Sequence, residues 1–322
     1  MREYSIKQIK EILNDILKEQ VFGIQAIGNH ELNRHLVYCF ISNNEKMIFK
    51  IYYKKHKRNK EVGALSMLKD LSIRCPHVYK VGQLKSGEEW AIMKYIGDYT
   101  LDEIILNKDL LDKHLCEIQK IFFQVGKNIA FIHKQMIKDG FYKIYENGYK
   151  KRYENYDKFM INKFEIYERW IRNKRYPEED MKYIEEALGY VNKNIKDLMG
   201  ICESSLIHND IDGRNIIVNI VEGKIKFSGL IDFEQCCIDY AGRDLVFFYR
   251  RYFLNKEFQD KGFEEQFLRG YAEARRIPKY FEENLNLLLM IEGVRICSWT
   301  YGIFPDYYEE GINLLKLCLK KE

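Results

Sequence analysis

The spacing of hydrophobic positions changes several times along the first hundred residues. Residues 6–17 place apolar side chains at helical spacing after Ser5, which predicts a helix capped by that serine. From residue 21 to residue 53 the chain has short runs rich in β-branched and aromatic residues, "VFGIQAIG", "HLVYCFIS" and "KMIFKIYY", separated by polar stretches. This pattern predicts an antiparallel meander. Further elements are predicted as a helix at 59–71 and strands at 78–84 and 89–95.

Beyond residue 97 the helical period dominates, and the obvious strand-like runs flank one polar stretch at 207–215. We therefore predict an α+β protein of two lobes, a small antiparallel-sheet lobe at 1–97 and a larger, mainly helical lobe at 98–322. The helices predicted in the second lobe are 101–118, 119–138, 150–172, 179–199 and several segments between 242 and 320.

Composition excludes some classes of protein. With 322 residues, 46% hydrophobic and 31% charged, the chain is typical of a globular protein, and a net charge of +4 is too balanced to indicate a nucleic-acid partner. The eight cysteines form no CxxC pair, which favours reduced thiols over zinc ligands. Since we find neither a signal-peptide pattern nor about 18 consecutive apolar residues, we expect a cytoplasmic protein that does not contact membranes.

The stretch "IHNDIDGRN" at 207–215 places six polar side chains between two hydrophobic runs. Asp and Asn favour turns, so by itself the stretch also fits an ordinary hydrogen-bonded loop. The following "IIVNIVEGKIKFSGLIDFE" predicts a hairpin that turns at Glu222 and Gly223. If its centre lies between 223 and 224, Asn215 and Asp232 face one another at the open end.

Paired positions in such a hairpin have β-carbons about 4.5 to 5.5 Å apart, a distance that one hard cation can bridge. Asp210 lies in the loop that enters the same end. Three oxygen-bearing groups therefore converge, which suits phosphoryl transfer: two oxygens hold a metal, and a separate carboxylate orients the attacking hydroxyl and accepts its proton.

These residues carry a resemblance to a known family. His208, Asp210 and Asn215 match H-x-D-x-x-x-x-N, and Asp232 lies in the downstream Ile-Asp-Phe segment, so the sequence resembles the aminoglycoside phosphotransferase and choline kinase superfamily of small-molecule kinases. The resemblance implies a protein-kinase-like fold, Asp210 as catalytic base, Asn215 and Asp232 as magnesium ligands, and ATP or GTP as co-substrate. His208 would brace the loop, and Asn209 stands where many members have glycine.

A kinase also needs a cation near the phosphates. Alternation in "KMIFKIYY" places Lys50 on the same strand face as Ile48 and Tyr52, where a partly buried lysine requires a partner. On the next helix Glu61 shares a face with Leu65 and Leu68, so it points inward. The pair matches the strand lysine and helix glutamate of kinases. The alternative is that Lys50 extends to solvent and Glu61 is a helix-start charge.

The remaining nucleotide contacts are suggested by the resemblance. The phosphate-covering turn "AIGNHELNRHLVY" has a single glycine, and we assign Gly28 and Asn29 to nucleotide contact. The stretch "WAIMKYIGDYTL" resembles the hinge of the family, where backbone groups of Met93 to Tyr95 would bind the purine edge. An edge strand followed by a turn is the alternative for this stretch.

The sequence leaves the identity of the phosphoryl acceptor open. About a dozen residues separate Asp232 from Asp244 and no A-P-E motif follows, which favours a small-molecule hydroxyl over a peptide. In "SWTYGIFPDYYEEG" acidic groups suit the ammonium groups of an aminoglycoside, and aromatic rings suit a quaternary ammonium such as choline. An aromatic helix junction fits equally well.

An aminoglycoside-type antibiotic is our first expectation for the acceptor. Choline, ethanolamine or another metabolite, a spore-coat-type kinase-like protein and a nucleotide-binding pseudokinase are the alternatives. We expect a monomer or weak homodimer.

Overall fold

The computed structural model describes residues 4–28, 35–54, 56–69, 71–135, 138–144 and 150–320. The chain divides into two compact units, and each is discontinuous in sequence. The first comprises Met1–Ile121 with Asp210–Cys236, and the second comprises Phe122–Asn209 with Cys237–Glu322. The division into functional lobes after residue 97 stays a prediction, because the first compact unit also includes residues 98–121 and the segment 210–236.

The first unit contains the predicted antiparallel sheet. Its five strands pair in the order β1-β2-β3-β5-β4, with every neighbouring pair antiparallel. The strands are β1 (Phe22–Ile27), β2 (His35–Ser42), β3 (Glu45–Tyr52), β4 (Val78–Gln83) and β5 (Glu89–Lys94). Two helices accompany them, α1 (Ile6–Leu17) and α2 (Lys57–Leu68). Ser5 caps α1 as predicted, accepting a hydrogen bond from the Gln8 N–H.

The same unit contains a second, three-stranded sheet of order β12-β11-β6. Its strands are β6 (Tyr99–Thr100), β11 (Ile216–Val221) and β12 (Lys224–Leu230), and two short helices follow β6, α3 (Leu101–Ile105) and α4 (Lys108–Lys113). Strand β6 pairs with β11 through Ile217 opposite Thr100 and Val218 opposite Tyr99. The β11–β12 hairpin, which follows the polar stretch 207–215, therefore pairs with β6, a strand that comes directly after the first sheet in sequence.

The second unit is mainly helical, as predicted, with a few short strands. Its helices are α5 (Leu115–His133, which begins in the first unit), α6 (Tyr156–Arg172), α7 (Glu178–Asn194), α8 (Gly242–Phe248), α9 (Phe263–Ala274), α10 (Leu285–Thr300) and α11 (Pro305–Leu319). Its strands are β7 (Lys138–Asp139), β8 (Phe141–Ile144), β9 (Lys150–Tyr153), β10 (Glu203–Ile207) and β13 (Cys237–Asp239). Strand β10 pairs with β13 and β7.

Several predicted helix boundaries are wrong. The predicted helix at 101–118 is divided into α3, α4 and the start of α5, because the Asn107 side chain accepts from the Leu110 N–H and starts a new helix. Residues 150–153 form a strand rather than the start of a helix. The hydrophobic period continues through these boundaries, whereas local capping determines where each helix begins.

Apolar packing supports each unit. In the first unit Ile9 and Leu13 of α1 pack with Phe40, Phe49 and other buried residues of the sheet. None of the helices in the described part of the chain combines the length and the apolar character needed to cross a membrane.

Two glycines allow close packing of α5 against α9. A β-carbon added at Gly270 would lie 1.9 Å from the Phe123 carbonyl oxygen, and one added at Gly126 would lie 2.1 Å from the Phe267 carbonyl oxygen. Both obstacles are backbone atoms, which cannot move without shifting a helix. The two helices therefore approach each other closely because neither has a side chain at these positions.

We predict that Gly270→Ala destabilises the protein by about 1 to 3 kcal/mol, because the methyl group forces α5 and α9 apart. Gly189→Ala in α7 is the matched control, since no atom lies within 4 Å of its added β-carbon. It should stabilise the protein by about 0.5 to 1 kcal/mol through helix propensity. Urea denaturation measures both values, and a similar change in the two variants would contradict the packing argument.

Candidate active site

Lys50 lies in the middle of β3, and its ammonium group is buried. The side chain is 5% exposed, between Phe49 and Ile51, which are fully buried. Strand alternation places it on the face that carries Tyr52, as predicted from the sequence. A charge at this depth must be compensated by nearby groups of opposite charge.

Two carboxylates from different elements contact the Lys50 ammonium. Its Nζ donates to Glu61 Oε2 at 2.8 Å and to Asp232 Oδ1 at 2.7 Å. Glu61 lies on the buried face of α2, and the Tyr52 hydroxyl also donates to its Oε2, at 2.8 Å. The structure thus contains the predicted pair of Lys50 and Glu61 and adds Asp232 to it. Their role towards nucleotide phosphates stays a prediction.

Mutual attraction outweighs burial in this cluster. Burial alone would lower the pKa of Lys50, but Asp232 and Glu61 raise it well above its usual value. Burial would raise the pKa of Asp232, yet the Lys50 ammonium holds it below its ordinary value. Lys50 and Asp232 are therefore both charged at neutral pH. The side chain of Asp232 is 23% exposed and so remains accessible to a ligand from solvent.

Glu234 is a third carboxylate at the cluster, and sequence reasoning gave it no role. One carboxylate oxygen of each of Glu61, Asp232 and Glu234 lies within 4.8 Å of the other two. Its Oε2 lies 3.4 Å from Lys50 Nζ and 3.4 Å from His35 Nδ1. Burial opposes ionisation, but His35 and Lys50 lower the pKa of Glu234 to about 2.

A signal for Glu234 was present in the sequence. It lies two residues after the predicted metal ligand Asp232, in a turn of Phe233–Gln235 that brings both carboxylates to the same side. Oxygen atoms so arranged are suitable ligands for a hard divalent cation. Glu234 is therefore a candidate ligand beside Asp232.

The predicted register of the β11–β12 hairpin is wrong by about one residue. Val221 pairs with Lys224, so the turn is centred between 222 and 223, and a bulge between Ile217 and Val218 then shifts the pairing. As a result the Ile231 N–H, rather than a group of Asp232, donates to the Asn215 carbonyl oxygen, at 3.0 Å. Asp232 follows this contact directly, in the left-handed conformation with φ 63°.

Asn215 and Asp210 lie in contact at the same end of the hairpin. The Asn215 side-chain nitrogen donates to the Asp210 carbonyl oxygen at 2.7 Å, so the remaining acceptor of the amide is its oxygen, the atom that a cation would bind. Asp212 has a different role, because its carboxylate accepts from the Arg214 N–H at 2.9 Å and pairs with the Arg214 guanidinium. It caps the short turn of helix Gly213–Asn215.

In the second unit Asp244 fixes the residues that precede Asp210 in the chain. Its carboxylate accepts from the backbone N–H of His208 and of Asn209, both at 2.8 Å. Asn209 has φ 61°, a conformation that glycine and asparagine tolerate better than other residues, which explains why asparagine can stand where many family members have glycine. His133 is fully buried and contacts Asp244 at 3.0 Å and the Tyr271 hydroxyl at 2.8 Å. It is a core histidine.

The other predicted nucleotide contacts are only partly described. Gly28 ends β1 with φ 75°, and Asn29 lies outside the described residues. At the predicted hinge, the Lys94 N–H donates to the His77 carbonyl at 2.8 Å and the Tyr95 N–H to the Lys46 carbonyl at 3.3 Å. Met93 is paired on both sides within the sheet. A purine held by Met93 to Tyr95 therefore stays a prediction, and the donors of Lys94 and Tyr95 already have partners.

The predicted acceptor region is divided between two environments in the second unit. Aromatic rings pack on one another, with Tyr176 and Tyr301 centroids 4.4 Å apart. Asp306 and Glu309, by contrast, are exposed on the wall of a cavity of about 550 Å³. Its other lining residues are Arg250, Arg251, Leu254, Asn255, Glu310, Asn313, Leu314 and Leu317. Glu310 pairs with Arg250, whereas Asp306 and Glu309 form no ion pair with a described residue.

We predict that Lys50→Met destabilises the protein by about 3 to 5 kcal/mol at pH 7, because the buried carboxylates lose their cation. In the wild type the lowered pKa values of Asp232 and Glu234 contribute stability at neutral pH, which is lost as the pH falls through the folded-state values. In the variant these pKa values rise. The difference in free energy of unfolding between the wild type and the variant should therefore shrink between pH 7 and pH 5, as measured by urea denaturation.

Lys46→Met is the matched control on the same strand. Lys46 Nζ also lies 2.8 Å from an aspartate, Asp98, but the two side chains are 45% and 59% exposed. Loss of such a pair should cost less than about 1 kcal/mol. If both variants lost the same free energy of unfolding, burial of the Lys50 cluster would not be the cause of the predicted destabilisation.

Comparison with known proteins identifies the family. The model of the phosphotransferase enzyme family, APH, matches residues 24–280. Among solved structures, aminoglycoside phosphotransferase APH(4)-Ia is similar with a TM-score of 0.68 and 13% identity, over 98% of this chain and 97% of that one. Spectinomycin phosphotransferase APH(9)-Ia, in complex with ADP and spectinomycin, has a TM-score of 0.68 and 15% identity, over 99% and 98%.

Choline kinase LicA from Streptococcus pneumoniae has a TM-score of 0.60 and 20% identity, over 98% of this chain and 97% of that one. No curated protein sequence matches the chain. The predicted α+β, kinase-like fold and the predicted superfamily are thus confirmed. The chain belongs to the phosphotransferase enzyme family.

Proposed function

We propose that the protein transfers the γ-phosphoryl group of ATP or GTP to a hydroxyl of a small cationic molecule, with an aminoglycoside-type compound as the first candidate. The observation that carries the proposal is the buried cluster in which Lys50 contacts Glu61 and Asp232. Asp210 and Asn215 belong to the same compact unit. Phosphoryl transfer requires a lysine, metal-binding oxygens and a base together, whereas a scaffold protein that binds no nucleotide does not require them.

The oxygen ligands at the hairpin end fit magnesium. Asp232, Glu234 and the amide oxygen of Asn215 would hold it, since hard cations prefer carboxylate and amide oxygens. When bound, the ion would supply positive charge against the β- and γ-phosphate oxygens. Within this set Glu234 extends the pair expected from the sequence, Asn215 and Asp232.

Residues of the protein would supply the other contributions to phosphoryl transfer. Lys50, oriented by Glu61, would neutralise charge on the phosphate oxygens. Asp210 would accept a hydrogen bond from the acceptor hydroxyl and take its proton as the new O–P bond forms and the bond to the leaving β-phosphate oxygen breaks, releasing a nucleoside diphosphate. Gly28 and Asn29, which follow β1 in sequence, would contact the phosphates.

The carboxylates of Asp306 and Glu309 support a cationic acceptor. They line the cavity without ion-pair partners among the described residues, and no aromatic side chain lines it. Carboxylates suit several primary ammonium groups, whereas a quaternary ammonium such as choline is recognised by aromatic faces. This favours a compound with several amino groups over choline, which is the alternative acceptor.

We predict that the purified protein phosphorylates at least one member of a panel of aminoglycosides, choline and ethanolamine with magnesium and ATP or GTP. Asp210→Asn should reduce the transfer rate by about 10² to 10⁴ while nucleotide affinity survives, because only the proton acceptor is removed. Asp212→Asn, whose carboxylate is engaged with Arg214, should retain far more activity. The proposal fails if no acceptor is phosphorylated, and the assignment of the base fails if the Asp212 variant is the inactive one.

We further predict that Asp306→Asn combined with Glu309→Gln raises KM for an aminoglycoside acceptor about tenfold or more, because two attractive charges are lost. The KM for the nucleotide should not change. The matched control is Glu265→Gln, an exposed carboxylate on α9 of the same unit. Unchanged acceptor KM in the double variant would remove this cavity from acceptor recognition.

A further inference from the structure

The side chain of Asn219, in β11, binds the segment that follows β5 at two peptide groups. Its Oδ1 accepts from the Asp98 N–H at 3.0 Å, and its Nδ2 donates to the Ile96 carbonyl at 3.2 Å. The same nitrogen donates to the Ser228 hydroxyl on β12 at 2.8 Å. One asparagine therefore ties the backbone on both sides of Gly97 to both strands of the hairpin.

Close packing reinforces this attachment. A β-carbon added at Gly97 would lie 2.5 Å from Ile217 Cγ2, and one added at Gly229 would lie 2.9 Å from Ile96 Cδ1. The segment Ile96–Asp98 and the hairpin therefore meet where each has a glycine. On its other side the segment is held by Asp98, which accepts from Lys46 Nζ at 2.8 Å and from the Tyr95 hydroxyl at 2.9 Å.

The attachment leaves two backbone donors available next to the predicted purine-binding strand. The N–H groups of Lys94 and Tyr95 have partners in the sheet, and that of Asp98 binds Asn219. Among the described residues neither the Ile96 N–H nor the Gly97 N–H has a hydrogen-bond partner. The Gly97 N–H belongs to the same peptide group as the Ile96 carbonyl, which Asn219 holds, and the Ile96 N–H lies next to that group. The orientation of both donors therefore depends on Asn219.

We propose that Asn219 is a positioning residue for nucleobase recognition: it fixes Ile96–Asp98 so that the available N–H groups of Ile96 and Gly97 meet the edge of the base. This rests on the proposed function, because it assumes that a purine nucleotide binds beside β5. Asn219 also lies four residues after the candidate metal ligand Asn215, on the strand that Asn215 precedes. The hairpin thus positions the two ends of the nucleotide together.

Binding of three probes by the full-length protein tests the proposal. With magnesium present, calorimetry measures the affinity for ATP, GTP and inorganic tripolyphosphate, which has phosphates but no base. We expect Asn219→Ala to weaken the preferred nucleotide roughly tenfold and to reduce discrimination between ATP and GTP. Tripolyphosphate affinity should be unchanged. Asn219→Asp keeps the acceptor for the Asp98 N–H and loses the donor to Ile96, so it should show a smaller loss in the same direction.

Lys226→Ala is the matched control, since Lys226 pairs directly with Asn219 in the hairpin but is exposed. It should leave all three affinities unchanged. An Asn219→Ala variant that binds both nucleotides like the wild type overturns the proposal, as does one that loses tripolyphosphate to the same extent. If the wild-type protein binds no nucleotide, the proposed function itself fails, and that result is distinct from the other two.

Discussion

The buried ammonium of Lys50 is the constraint on which the nucleotide-binding part of this protein depends. A single cation brings together a strand of the first sheet, a helix and the segment that follows the hairpin, through Glu61 and Asp232. None of these charges is stable at such depth without the others, because an isolated buried ion carries a penalty of several kcal/mol. The cluster therefore specifies how these elements are arranged, in addition to its proposed role in chemistry.

The negative charge of the cluster that would attract a metal ion also opposes the stability of the folded protein. Three carboxylates surround one ammonium, so the local charge is negative before any ligand binds. Such a site attracts cations, and Lys57, whose Nζ lies 3.8 Å from Glu234 Oε1, offsets only part of the negative charge. An enzyme that must bring a metal ion next to a triphosphate benefits from this negative charge, since it attracts the ion, and the bound ion then reduces the repulsion between the carboxylates and the phosphates.

Much of this arrangement could be predicted from the sequence, for specific physical reasons. Strand alternation and helical spacing are strict, so the inward positions of Lys50 and Glu61 follow from counting residues. Hairpin register is less secure: the turn is centred one residue earlier than predicted, and the bulge between Ile217 and Val218 recovers only part of the resulting shift. Asn219 was missed because its contacts join distant segments, such as that between Asn219 and Ile96. Helix boundaries failed where a cap such as Asn107 interrupts a continuous apolar period.

The discontinuity of the first unit has a consequence for synthesis of the chain on the ribosome. Strands β1 to β5 are complete by residue 94, but Asp232 and the hairpin that pairs with β6 are made more than a hundred residues later. At about 5 to 20 residues per second, roughly 7 to 28 seconds pass during which Lys50 lacks one of its carboxylates and β6 is not yet paired with β11. The nascent N-terminal half is therefore most exposed to misfolding during this interval, and substitutions that strengthen the sheet by itself would act chiefly there.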